Sequence, residues 1–348
     1  MHDWSHIYVI SGIFQVELQY LLIYLSSCTR PGDNFFIAQL STFMIQWCWP
    51  RGGHDCGGLI TEDPNLNREW FKCDAHEAVA IYGIIALWVC MLPDETKNSP
   101  QVASFLALAD VLDLLRLCKE GCVNADTLLN AIITHLIAFK GAYGIIGWIP
   151  KHHLAIHLAR YLRKFRLLLS TLPQERMHKT VKKWSRDRYA KQSFERGLIE
   201  ELTLEHLHAL ERPWWFDGLQ QPLHTPKPNL RRALEAQWPD AAEYVTSASF
   251  RNELGCVIHS GDLAFVECGT ATSLCEVWWM ASVDRHCVAC VSIWTRIADD
   301  AIGNAVNAAT YRKVDSPTFI DCSKLKAAAQ FWACGDGVHV VLIPARLA

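Results

Sequence analysis

The sequence predicts a mixed fold: a mainly α-helical N-terminal two-thirds followed by a small β-rich C-terminal domain. Three observations carry this expectation. Apolar residues recur at spacings of three and four through much of 75–169, the period of one helix face. After about residue 245 the pattern changes to alternation, in short runs separated by turn residues. Between the two, four prolines from Pro213 to Pro228 argue against regular structure. The implied organisation is a largely helical region over 1–211, a Pro- and Trp-containing linker over 212–244, and a small β-rich domain over 245–348.

Each element follows from local residues. Ile7 to Ile10 reads as a short buried strand, and Gly12 onward, with Phe14, Leu18, Leu21, Leu22 and Leu25, as a helix. Residues 48–76 are rich in Gly, Pro and Asp and read as a loop, ending in a helix cap near Asp74. Helices follow over Ala75 to Leu92, 101–118 and 125–147. Pro150 opens another, whose apolar face is Leu154, Leu158, Leu162, Phe165 and Leu169. Pro173 opens a further helix in which Met177, Val181 and Trp184 face inward, and Phe194 to Leu210 continues as helix. In the last third, Leu263–Val266, Cys275–Met280, Cys287–Trp294 and His339–Pro344 read as short β-rich runs.

Composition narrows the class. The 348 residues suit about two domains, and a hydrophobic fraction of 51% excludes global disorder. Fourteen cysteines are too dilute for a disulfide miniprotein and lie mostly in apolar runs, as expected of free thiols in a reducing compartment. The run from Ala78 to Pro93 is shorter than a membrane helix needs, and His2, Asp3 and His6 interrupt any secretory leader. The expectation is an intracellular protein with no membrane role. Fourteen Trp point to packed aromatic clusters or an interface with a protein partner or a second copy.

The net charge of −3 conceals an asymmetry. Residues 151–200 hold six Lys and seven Arg against three Glu and one Asp, a net +9, whereas 241–348 is mildly acidic. Lys151, Arg160 and Lys164 lie on one basic helix; Lys179, Lys182, Lys183 and Arg186 lie on the next. A basic helical stripe is the footprint of phosphate-backbone contact; the competing reading is a solvated face with i,i+4 pairs.

Motifs with fixed chemistry are few. The chain contains no GxxxxGK[ST], GxGxxG or GxSxG. His153 and His157 stand four apart on a helix, a spacing that permits shared metal ligation. Cys287 and Cys290 have CxxC spacing, but an alternating strand sends them to opposite faces.

Four segments resemble one family. Asp3-Trp-Ser-His6 followed by Gly12, Phe71 through Glu77, Lys151-His-His153 followed by His157-Leu158, and Glu175-Arg-Met-His178-Lys179 together look like the second half of a cut-and-paste DNA transposase of the CACTA-element type. The similarity covers roughly residues 1–210. It implies an RNase H-like core in which Asp3 ends a strand as the second acid of a D-D-E set. Glu175 would be the third, and residues 13–149 a helical insertion. It also implies Mg²⁺ held by Asp3 and Glu175, DNA as partner and a nuclear location. Two-metal phosphodiester chemistry needs carboxylates converging on ions about 3.5–4 Å apart. The first Asp of the set is expected upstream of Asp3, so catalysis is not expected of this chain alone.

The leading expectation is therefore a transposon-derived, DNA-binding fragment with an incomplete catalytic site. The alternative is a non-enzymatic interaction or scaffold protein with no nucleic-acid role. A third is a metal-dependent hydrolase using His153, His157 and Glu175.

Overall fold

The computed structural model describes residues 3–29, 34–51, 53–62, 64–118, 123–145, 147–168, 218–220, 222–253, 255–269, 271–297, 307–335 and 337–342, with 196, 199, 200, 203, 204, 207 and 208. Eight helices come first: α1 Trp4–Tyr8, α2 Ile13–Ser27, α3 Phe35–Ile45, α4 Ala75–Cys90, α5 Asp94–Lys97, α6 Pro100–Leu117, α7 Ala125–Tyr143 and α8 Pro150–Phe165. Their boundaries have local causes. The Asp74 and Glu77 side chains form a capping box at the start of α4. Ser99 caps α6 ahead of Pro100, and Asn124 caps α7. Gly144 after α7 and Arg166 after α8 both take positive φ and break the helical path.

A two-residue strand, β1 Trp47–Cys48, lies between α3 and α4. The later strands are β2 Gly218–Leu219, β3 Tyr244–Ser247, β4 Ser249–Arg251, β5 Val257–His259, β6 Leu263–Cys268, β7 Ala271–Val283, β8 His286–Arg296, β9 Ala308–Asp321, β10 Leu325–Ala328, β11 Phe331–Gly335 and β12 Val338–Leu342. One nine-stranded sheet runs β1-β11-β12-β9-β8-β7-β6-β10, with β3 on β7, and β2, β4 and β5 form a second. Every pairing among the described residues is antiparallel. The β7–β8 hairpin turns on Asp284 and Arg285, both at positive φ, the geometry that matches strand twist.

This architecture corrects the expected fold class. The mainly helical N-terminal two-thirds, read as part of an RNase H-like core, is not what forms. The described bundle ends at Phe165, and the sheet is a large one that recruits β1 from the N-terminal region through Trp47 opposite Trp332. Ala308, Trp332, Val340 and Leu342 of the sheet belong to the same apolar cluster as α1–α4 and α6–α8. Arg51 extends the junction: its backbone N–H donates to Asp262 Oδ1 at 2.9 Å and its Nη1 to the Ser260 carbonyl at 2.8 Å. A second cluster sits between the two sheets, where Leu219, Phe250 and Ile258 meet Val266, Val277 and Met280.

Three local readings also change. Ile7 and Tyr8 lie in α1 and not in a strand. Within 212–244, where the prolines argue against regular structure, β2 pairs with β4 and helix α9 spans Pro228–Gln237. Pro228 fits there because the first helical position has no N–H to satisfy within the helix. The inward face of α8 is His152, Ala155, Leu158, Ala159 and Leu162, whereas Phe165 is exposed. The predicted helices after Pro173 and Phe194 lie outside the described residues or only touch them. One stretch, Trp4–Ser27, is long and apolar enough to cross a membrane by length and composition; 72% of its apolar window is buried inside the fold.

Candidate nucleic-acid interface

Helix α8 has four Lys or Arg residues and no acidic residue between Pro150 and Phe165. Its apolar positions bury it against α1 and α7, which leaves one solvent stripe: His153, Ile156, His157, Arg160 and Lys164, at offsets of three, four, seven and eleven from the first. Arg163 and Arg166 are exposed beside it. The His153 and His157 rings meet edge to face at 5.1 Å, and the Lys164 ammonium lies 5.0 Å from the Phe165 ring centre.

The cations do not all do the same thing. Lys151 Nζ donates to the Ile10 and Ser11 carbonyls, each at 2.8 Å, and so pins α8 to the α1–α2 connection. Burial of that amine lowers its pKa. Arg163 pairs with Asp126 on α7. Arg160, Lys164 and Arg166 have no ion pair among the described residues and remain available to a ligand. Lys179, Lys182, Lys183, Arg186 and Glu175 lie outside the described residues.

Asp3 has a local role. It is the N-cap of α1, where Oδ1 accepts from the Ser5 N–H at 2.9 Å. Its Oδ2 lies 2.6 Å from Ser5 Oγ, which donates to it, and 2.7 Å from His6 Nδ1. Asp3 thus starts a helix and does not end a strand, and three of its acceptor directions are taken by neighbours two and three residues away. Glu175, the carboxylate that the resemblance pairs with it, lies outside the described residues. His153 and His157 stay on the surface with no third metal-binding group beside them among those residues. Cys287 and Cys290 sit on β8 three residues apart, on opposite faces.

The structure also brings together groups that sequence reading left apart. His54, on the loop after β1, meets His76 and Glu77 in the first turn of α4, with ligand-type atoms all within 4.8 Å of one another. Reading that stretch as turn-rich loop hid the pairing; the only local signal was His76-Glu77 immediately after a helix cap. A cleft between α4, α6 and the sheet is lined by His76, Tyr82, Asp113, Arg116 and Asn307. There Tyr82 donates to Asp113 Oδ1 at 2.5 Å and accepts from Arg116 at 2.9 Å. Burial raises the pKa of the Asp113 carboxyl, against the lowering by its Tyr82 and Asn307 donors. Finally, Glu17, Ser104 and His135 form a fully buried network inside the helical bundle.

Comparison of the chain with protein-family models, with curated proteins and with solved structures finds no match.

Proposed function

We propose that this chain binds nucleic acid, duplex DNA first, through the solvent stripe of α8, and that it does so without catalysing strand chemistry. The observation that supports this is Arg160 and Lys164 on the solvent stripe of α8 with Arg166 exposed just past its end, all three without ion pairs among the described residues, and no acidic residue on the helix. From Arg160 to Arg166 is about 9 Å at 1.5 Å per residue. One DNA strand presents two to three phosphates over that length, at about 3.4 Å per nucleotide along the axis. The resemblance to CACTA-type transposases points to the same partner and to a nuclear setting. The competing explanation, cations placed at a helix C-terminus to offset its dipole, accounts for Lys164 and Arg166 at about 0.3–1 kcal/mol each but not for Arg160 one turn earlier.

Duplex binding followed by fluorescence anisotropy across a salt series tests this reading. Each phosphate contact contributes about −0.9 to the slope of log K against log salt. Replacing Arg160, Lys164 and Arg166 together by Gln is expected to flatten that slope by about 2.7. Lys151→Gln should leave it unchanged, because that amine is engaged with backbone carbonyls. No binding at about 50 mM salt, or an unchanged slope in the triple variant, overturns the reading. One observation then favours protein interaction: Ile133 and Ile137 of α7, 40% and 68% exposed, stand four apart on one helix face.

A further inference from the structure

The strongest unassigned constellation lies away from α8, where the loop after β1 returns to α4. His54 Nε2 is 3.2 Å from Glu77 Oε1. A tetrahedral ion bound at about 2.0–2.1 Å sets its ligand atoms about 3.3–3.4 Å apart, so this pair already stands at the edge length of such a site. The nearest ligand-type atom of His76 lies within 4.8 Å of both, a gap that rotation of an exposed ring closes.

The surroundings hold Glu77 in a ligand-like orientation. Glu77 Oε2 accepts the Asp74 N–H at 2.6 Å as half of the capping box, so the carboxylate is anchored through one oxygen while the other faces His54. His76 Nδ1 is 4.0 Å from Asp74 Oδ2. That is too long for a hydrogen bond as it stands, but the same ring rotation can bring the Asp74 carboxylate onto the imidazole, the arrangement that fixes a ligating ring and strengthens it. His54 and His76 rings meet edge to face at 5.3 Å. Two imidazoles and one carboxylate suit a borderline ion such as Zn²⁺, whereas Mg²⁺ and Ca²⁺ favour shells of oxygen. The nearby thiols are otherwise engaged: Cys56 is buried in the helical core, and Cys73 Sγ accepts from Gln15 Nε2 at 3.4 Å.

We propose that His54, His76 and Glu77 form a binding site for one Zn²⁺-type ion, with water in the fourth coordination position. The ion would clip the loop after β1 to the first turn of α4. Both histidines are exposed, at 59% and 47%, so the open position faces solvent, and His76 also lines the cleft that holds Asp113 and Arg116. The proposal is independent of nucleic-acid binding by α8.

The metal-free 348-residue chain titrated with Zn²⁺ by calorimetry, and with Co²⁺ by visible absorption, tests the assignment. The expected result includes one tight site per chain, tetrahedral d–d bands for Co²⁺ and a rise in thermal midpoint on loading. His54→Ala removes a side chain that is mostly in solvent and is expected to retain the far-UV circular dichroism of the parent. It should weaken binding at least about tenfold, as loss of even an outer-shell partner does in such sites. His76→Ala should do the same, and the pair together should abolish the site. His153→Ala with His157→Ala should leave affinity unchanged. Affinity that survives His54→Ala, that disappears with the α8 histidines, or that brings a thiolate-to-cobalt charge-transfer band overturns the proposal.

Discussion

The most exacting test of the helical bundle is the network at its centre. Glu17 of α2, Ser104 of α6 and His135 of α7 are all 0% exposed. Ser104 Oγ donates to Glu17 Oε1 at 2.6 Å, and His135 Nε2 lies 2.6 Å from Glu17 Oε2. Glu17→Ala removes the acceptor for both at once. Each buried donor left without its acceptor costs about 1–3 kcal/mol, so two of them put the loss at about 2–6 kcal/mol. Deleting one partner of a buried pair costs about 3–5 kcal/mol, in agreement. Against a typical total of about 5–15 kcal/mol, that is a large fraction. The joint change Glu17→Leu with His135→Leu removes both desolvated polar groups, and Ser104 can turn its hydroxyl to a helix carbonyl. Replacing a whole buried pair by apolar residues is often neutral or stabilising. The joint variant should therefore recover most of the loss, with a coupling of about 2 kcal/mol or more. Urea unfolding, followed in parallel by Trp fluorescence and circular dichroism, measures all four corners of the cycle. A single substitution costing less than about 1 kcal/mol, or two costs that simply add, would refute the reasoning.

Two further predictions concern the same bundle. Burial first, and the nearby His135 second, lower the pKa of His152 from 6.5 to about 4. The unfolded chain therefore takes up a proton near pH 6.5 that the folded chain refuses until about pH 4. Stability is complete above that upper value and falls as pH drops through the window, by about 3 kcal/mol at its foot. His152→Gln should remove that part of the slope; unfolding curves at pH 7, 5.5 and 4.5 decide, and parallel slopes would count against it. Gly12→Ala should destabilise by at least about 1–3 kcal/mol, the usual cost of overpacking. A Cβ there would sit 2.6 Å from the Ile7 carbonyl oxygen and press on the Tyr8 carbonyl group, backbone that cannot rotate away. A thermal midpoint equal to that of the parent would show that the α1–α2 turn yields more easily than its packing implies.

Elements whose causes are local were readable in the chain. Helices α4, α6 and α7 carry an apolar period of three to four, and Asp74 marks the start of α4; the caps Ser99 and Asn124 show only in the structure. Strands β6, β7 and β8 were visible as apolar runs between turns. The sheet's extent was not, because a two-residue strand has no period: Trp47 pairs with Trp332 across most of the chain, and nothing near either position marks the pairing. Composition also misled about α8. Ala155 and Ala159 pack inward because small side chains let helices approach closely, while the larger Phe165 lies beyond the contact. The His54, His76 and Glu77 cluster escaped for a related reason. Its members lie on either side of a loop whose path, not whose spacing, brings them together.

Asp3 and Lys151 show how far a motif can be read before folding is accounted for. Each stands in a segment that resembles the transposase pattern, and each is already engaged in building the bundle. The Asp3 carboxylate caps α1, and the Lys151 ammonium holds the Ile10 and Ser11 carbonyls at the turn before α2, where Ser11 has positive φ. The Asp3 contacts start α1, the Lys151 contacts tie α8 to the α1–α2 turn, and Arg160, Lys164 and Arg166 are left facing solvent. The distinction has a numerical consequence. Counting every Lys and Arg from Lys151 to Arg166 gives five cations and a slope contribution of about −4.5. Removing Lys151, held by backbone, and Arg163, paired with Asp126, leaves three and about −2.7. The change produced by the triple replacement therefore measures whether charge on this helix acts as a sum over sequence or only through the side chains that the fold leaves free.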